Sequence, residues 1–114
     1  MNHDMELTIR NVSDAAVISI KGDLTAVTGE ALENTCQKIT LDGVKKILFA
    51  FRENNYINSG GIATLITIAA ESREKRQSLR MSGLSEHFQK IFSMVGITKY
   101  ITIFPSEEAA LENF

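Results

Sequence analysis

The residues best placed to do chemistry sit in one stretch, Tyr56-Ile57-Asn58-Ser59-Gly60-Gly61-Ile62, between an apolar run and a helical pattern. Ser59 suggests three chemistries. A serine nucleophile needs the strained elbow Gly-x-Ser-x-Gly and a base, but position 57 is Ile and the two histidines are His3, near the N-terminus, and His87. A phosphate cradle of the P-loop kind needs a lysine after the glycines, and no Lys or Arg follows nearby. A phosphoacceptor serine needs an accessible hydroxyl. Its phosphate adds about −1.5 to −2 charge, which a helix N-terminus tolerates. A purely structural role competes with all three: Asn58 or Ser59 caps a helix, and the glycines fit a tight turn. Each glycine costs a helix up to ~1 kcal/mol relative to alanine. The pair therefore reads as bare backbone, either for the close approach of a partner or to leave the Ser59 hydroxyl uncovered.

Other reactive residues carry less. Cys36 is the single cysteine, which excludes an intramolecular disulfide and fits a reducing cytosol. It reads as a small buried or half-buried apolar residue of a helix. His87 reads as a solvated residue at a helix start, with no second metal ligand at helical spacing. The run Glu71-Ser72-Arg73-Glu74-Lys75-Arg76 reads as a solvated helix end, with Glu71 pairing Lys75 at i, i+4. Phe92 and Met94 read as core or as a small exposed patch that would add an apolar anchor to an interface. No metal and no cofactor is expected.

The elements that must position Ser59 follow from periodicity. Met5–Arg10 alternates and reads as a half-buried edge strand, and Asn11–Asp14 as a turn. Ala15–Ile20 then makes a second strand, antiparallel to the first. A helix is expected from Leu24 to about Ile39, with Leu24, Val27, Ala31 and Ile39 inward and Thr25 or Thr28 as cap. Val44–Phe51 ends in five apolar residues, as a strand covered on both faces requires. Ile62, Leu65, Ile66, Ala69 and Ala70 mark the clearest amphipathic helix. Leu79–Met81 is a short strand. Leu84, Phe88, Ile91, Phe92 and Val95 form a helix capped by Ser85 and stopped by Gly96. Tyr100–Phe104 is a last strand, and Ser106 caps a short helix whose Glu107 and Glu108 suit the dipole. The order ββαβαβαβα implies an α/β fold: a mixed, mostly parallel sheet with helices packed on it.

The chain has 114 residues, 44% apolar and 23% charged, with net charge −2. That suits one globular domain over residues 1–114, with its core at about 6–111. No basic patch points to nucleic acid. No apolar signal core or run of ~20 apolar residues is visible, so no membrane insertion is expected and a cytoplasmic location is.

The order and the serine loop together resemble the STAS domain of bacterial anti-sigma factor antagonists. In that family a strand leads into a loop of the type Asp-Ser-Ser/Thr-Gly-Leu at the start of the second helix. Here Asn58-Ser59-Gly60-Gly61-Ile62 matches it, with Ser59 aligned to the phosphoacceptor. "IKGDLT" (Ile20–Thr25) resembles the family's Leu-x-Gly-Glu-Leu-Asp, and "MSGLSEHFQKIFSMVGI" (Met81–Ile97) its fourth strand and third helix. Three positions depart: Asn58 replaces the acid, Gly60 the second hydroxyl residue, and Thr25 the aspartate.

The resemblance implies a protein without catalysis of its own. It would bind a GHKL-type serine kinase that is also an anti-sigma factor, and release it when Ser59 is phosphorylated. A PPM-type phosphatase would reset it. The implied binding surface is Asn58, Ser59, Gly60, Gly61, Ile62 and Thr64, beside Gly22, Asp23 and Thr25. A monomer or weak homodimer is expected. Two alternatives stay open: a constitutive STAS scaffold subunit, and, of another class, a small serine hydrolase.

Overall fold

The computed structural model describes residues 5–114. One five-stranded sheet has its strands in sequence order, β1-β2-β3-β4-β5. β1 (Glu6–Val12) and β2 (Ala15–Lys21) form an antiparallel hairpin. β3 (Lys46–Ala50), β4 (Ser78–Ser82) and β5 (Ile101–Phe104) continue the sheet in parallel. The turn is tighter than the sequence suggests. Asn11 and Val12 stay in the strand, and Ser13 turns the chain with φ of 54°. β1 is an edge, as expected, but Ile9 on it is 49% exposed.

Three crossovers carry α1 (Ala26–Leu41), α2 (Ser59–Glu74) and α3 (Glu86–Val95), the last followed by a 3-10 turn at Ile97–Lys99 that the periodicity does not reveal. Their inward residues share one apolar cluster with Ile18, Ile47, Phe49, Met81 and Ile101 of the sheet. The other face of the sheet is smaller. Val17, Leu48 and Ala50 meet Ala110 of α4 (Glu107–Leu111) there. β3 therefore buries alternate side chains on both faces, which explains its uninterrupted apolar run.

The ends of α2 and of the later helices are local in origin. Asn58, Ser85 and Ser106 each accept from the N–H three residues on, and Gly96 ends α3 in the left-handed region at φ of 82°. The two helical faces differ from the sequence reading. α1 buries Gly29, Leu32, Cys36 and Ile39, while Val27 is 84% exposed and Ala31 also faces solvent. Leu24 is buried but precedes the helix. α2 buries Gly61, Thr64, Leu65, Ile68, Ala69 and Ser72, and turns Ile66 and Ala70 outward. In both cases the small residues set the rotation: Gly29 lies against Thr64, with no room for a methyl between the two helices.

Candidate functional site

The candidate site lies beyond the carboxyl ends of β2 and β3, where the chain enters α1 and α2. The two loops are joined into one unit. Leu24 N–H donates to the Tyr56 carbonyl (2.8 Å) and Asn58 N–H donates to the Leu24 carbonyl (3.1 Å), which makes a short parallel bridge between Leu24 and Ile57. Both bridge side chains are buried. Asn55 adds a polar clasp. Its Nδ2 donates to the Gly22 carbonyl (2.7 Å) while its Oδ1 accepts from Arg52 N–H (2.5 Å). At the start of α1, Thr25 and Thr28 bond reciprocally: the Thr25 hydroxyl accepts from Thr28 N–H, and Thr25 N–H donates to Thr28 Oγ1. Both residues that the sequence offers as alternative caps are used. The Thr28 hydroxyl also donates to the Asp23 carbonyl (2.7 Å).

Asn58, not Ser59, is the cap of α2. Its Oδ1 accepts from Gly61 N–H at 2.9 Å. Ser59 is thereby left as the first helical residue, exposed, and its hydroxyl has no hydrogen-bond partner among the described residues. The N–H groups of Ser59 and Gly60 are first-turn donors that the Asn58 side chain does not take. From Asn54 to Ala70 the chain carries no charged side chain. This stretch of the surface is accordingly uncharged, with Tyr56 and Ile66 half-exposed and Ala63 exposed, while partly exposed Asp23 stands on the β2–α1 loop joined to it.

The glycines answer to the protein itself. A methyl on Gly61 would overlap the Leu24 carbonyl, and one on Gly60 would stand 2.8 Å from Ala26. The expectation of bare backbone is met, but what approaches is the chain's own β2–α1 loop and the first residue of α1. Thr64 is likewise internal. It is 7% exposed, donates to the Gly60 carbonyl (3.1 Å) and packs on Gly29. Of the candidate surface residues, Thr64 and Gly61 are closed in. Ser59 is exposed, and Gly22, Asp23, Thr25, Asn58, Gly60 and Ile62 are partly exposed.

No base is bonded to Ser59. His87 stands on α3 with its ring edge-on to Phe88, and His3 lies outside the described residues. Among the described residues no group of three or more His, Cys, Asp or Glu is placed to hold a metal ion. Burial pushes the Cys36 thiol up to about 12, with Glu71 and Glu33 adding smaller repulsion. The pairing of Glu71 with Lys75 does not form. The ion pairs among the described residues are Arg10–Glu107 and Lys46–Asp14 (2.9 Å). Phe92 is fully buried, while Met94 is 84% exposed. The sequence reading missed Asn55, Leu24 and Ile57. Asn55 carries an available signal, an asparagine where a strand ends, but its partner lies 33 residues away.

The STAS domain family model matches residues 6–110. The chain is 22% identical over 110 residues to BtrV of Bordetella bronchiseptica, to which an anti-sigma factor antagonist role is ascribed, covering 96% of this chain and 95% of that protein. The fold is similar to an anti-sigma factor antagonist from Mycobacterium paratuberculosis, with TM-score 0.83 at 15% identity over 98% of this chain and 95% of that one. It is similar too to the Bacillus cell fate determinant SpoIIAA in its phosphorylated form, with TM-score 0.67 at 17% identity over 91% and 96%.

Proposed function

The chain belongs to the STAS domain family, and from that premise we propose that it is an anti-sigma factor antagonist-type switch whose phosphoacceptor is Ser59. Unphosphorylated, it binds a GHKL-type serine kinase that is also the anti-sigma factor. Phosphorylated, it lets go, and a PPM-type phosphatase resets it. The reading places the protein in the cytoplasm, as a monomer or weak homodimer without catalysis of its own. No helix among the described residues is long and apolar enough to cross a membrane.

One observation carries the reading: Ser59 stands exposed and unbonded at the first position of α2, within a stretch that has no charge from Asn54 to Ala70. A phosphate there meets a helix N-terminus, which favours it, so the fold survives. A partner that has closed over the uncharged start of α2 meets a dianion. An unpaired charge forced into an interface costs ~2–5 kcal/mol, and each ~1.4 kcal/mol is tenfold in affinity. One phosphate is enough to turn binding off. That relatives of this fold include a phosphorylated form agrees with the reading.

A scaffold role competes, and the departures from the family's loop at Gly60 and Asn58 lean towards it. The family's acid at the latter position is absent, and with it a charge a kinase could read. Pull-down from native-host lysate with wild-type, Ser59→Ala and Ser59→Asp baits separates the two. A kinase held by the first two and lost by the third supports the switch. A partner held equally by all three overturns it in favour of the scaffold. Labelling of Ser59 by a fluorophosphonate probe would instead indicate the hydrolase.

A further inference from the structure

At the far end of α2, away from Ser59, a cleft of about 440 Å3 opens between the last turns of that helix, the start of β4 and the 3-10 turn. Sixteen residues of helix separate its two ends, or roughly 24 Å at 1.5 Å per residue. The floor is apolar: Ala69 and Leu79 are 2% and 5% exposed. Two cations from different elements stand at the walls, Arg73 of α2 and Lys99 of the 3-10 turn, and no carboxylate lines the cleft. The Arg73 guanidinium lies over the half-exposed Tyr100 ring, 5.5 Å from its centroid. Ser72 lines the cleft as well. It is 4% exposed, and its hydroxyl is bonded to no group among the described residues.

We propose that this cleft binds a small organic anion, a carboxylate or phosphate ester carried on a flat apolar body. Arg73 in the last turn of α2 already complements the helix dipole, which would account for it alone. It does not account for Lys99, which comes from another element and lines the same apolar floor. Arginine supplies a planar fork of donors matched to carboxylate and phosphate oxygens, and lysine a movable point charge. Ser72 adds a hydroxyl able to donate. The half-exposed Tyr100 ring offers the main apolar contact, and the buried Ala69 and Leu79 close the floor beneath it. Gln77, also in the wall, has its amide occupied by Thr40 Oγ1 (2.8 Å) and the Val44 carbonyl (3.0 Å), so it shapes the cleft without serving the ligand through that nitrogen. The site owes nothing to Ser59 and stands whether or not that residue is phosphorylated.

The test is a titration of the full chain, followed by backbone amide NMR, with phenyl phosphate, benzoate and inorganic phosphate as separate probes. Saturable shifts confined to residues near Ser72, Arg73, Leu79, Lys99 and Tyr100 are expected, with phenyl phosphate or benzoate binding more tightly than inorganic phosphate. The tighter of the two organic probes identifies the anionic group. The double variant Arg73→Gln/Lys99→Gln should weaken binding at least about tenfold, equivalent to ~1.4 kcal/mol. Ser59→Ala should bind as wild type does. Shifts scattered over every surface cation, failure to saturate, or equal binding by the double variant would overturn the proposal. The spectra of the variants report that they remain folded, since both side chains are exposed.

Discussion

Gly61 and Cys36 show how single residues are held by what surrounds them. In an isolated helix, Gly61→Ala would stabilise by up to ~1 kcal/mol. Here the new methyl overlaps the Leu24 carbonyl, so the two loops must part. Net destabilisation of about 1–3 kcal/mol is expected in urea unfolding, and an unchanged or raised midpoint would show that the loops are not locked. Cys36 is buried with its thiol raised to about 12 from 9.0. The folded state therefore keeps its proton where the unfolded chain loses it. Stability on this account is unaffected below pH 9 and falls as pH rises from 9 towards 12. Denaturation midpoints across that range should decline in the wild type more than in Cys36→Ala, and the native thiol should react slowly with disulfide reagents at pH 8. Equal decline in both proteins would remove Cys36 as the cause.

At the scale of elements, α4 is tied to the sheet by side chains of several strands, and Arg80 of β4 makes the most bonds among them. Five residues are too few for a helix to persist alone. Arg80 of β4 reaches its end and donates to the carbonyls of Ala110 (2.8 Å), Glu112 (3.1 Å) and Asn113 (3.2 Å). Its guanidinium lies over the rings of Phe104 and Phe114, at 4.8 and 4.3 Å from their centroids. A cation inside a parallel strand thus helps to close the smaller face, beside Lys46 of β3, whose Nζ donates to the Phe114 carbonyl (2.8 Å). Arg80→Ala should cost about 2 kcal/mol, within the range for hydrogen bonds to a charged group. It should also speed amide hydrogen exchange across α4 before the rest of the sheet. Exchange unchanged in α4 would mean that Ala110 and its apolar neighbours suffice. The helices α1 and α2 are different. Their existence was legible from spacing and caps, but their rotation was not, because Gly29 and Thr64 set it by meeting across the interface.

At the scale of the whole molecule, one apolar cluster runs through β2 to β5 and all three crossover helices. Residues 5–114 are accordingly expected to unfold as one cooperative unit. Urea curves from far-UV circular dichroism and from tyrosine fluorescence should coincide. Separated curves would show that the β1 hairpin or the C-terminal face melts on its own. The same architecture places Ser59 and the Arg73–Lys99 cleft at opposite ends of α2, so either can be altered without touching the other.

Element types, their order and the caps Ser85 and Ser106 belonged to the sequence, because a cap bonds three residues ahead and a buried strand shows as an apolar run. Asn58 and Ser59 were both legible as caps, and so were Thr25 and Thr28; short-range bonding alone does not choose between neighbours. Tertiary structure made those choices. It turned Asn58 onto Gly61 and left Ser59 outside, closed the glycines against Leu24 and buried Thr64 under α1. It also brought Asn55 to Gly22 and Arg80 to the end of α4. Each of those decisions joins residues more than ~20 apart in the chain, or depends on a pair that is so joined. Periodicity and capping rules reach only a few residues along a helix or strand. Which face is inside, and which hydroxyl remains free, is settled only when the elements pack against each other.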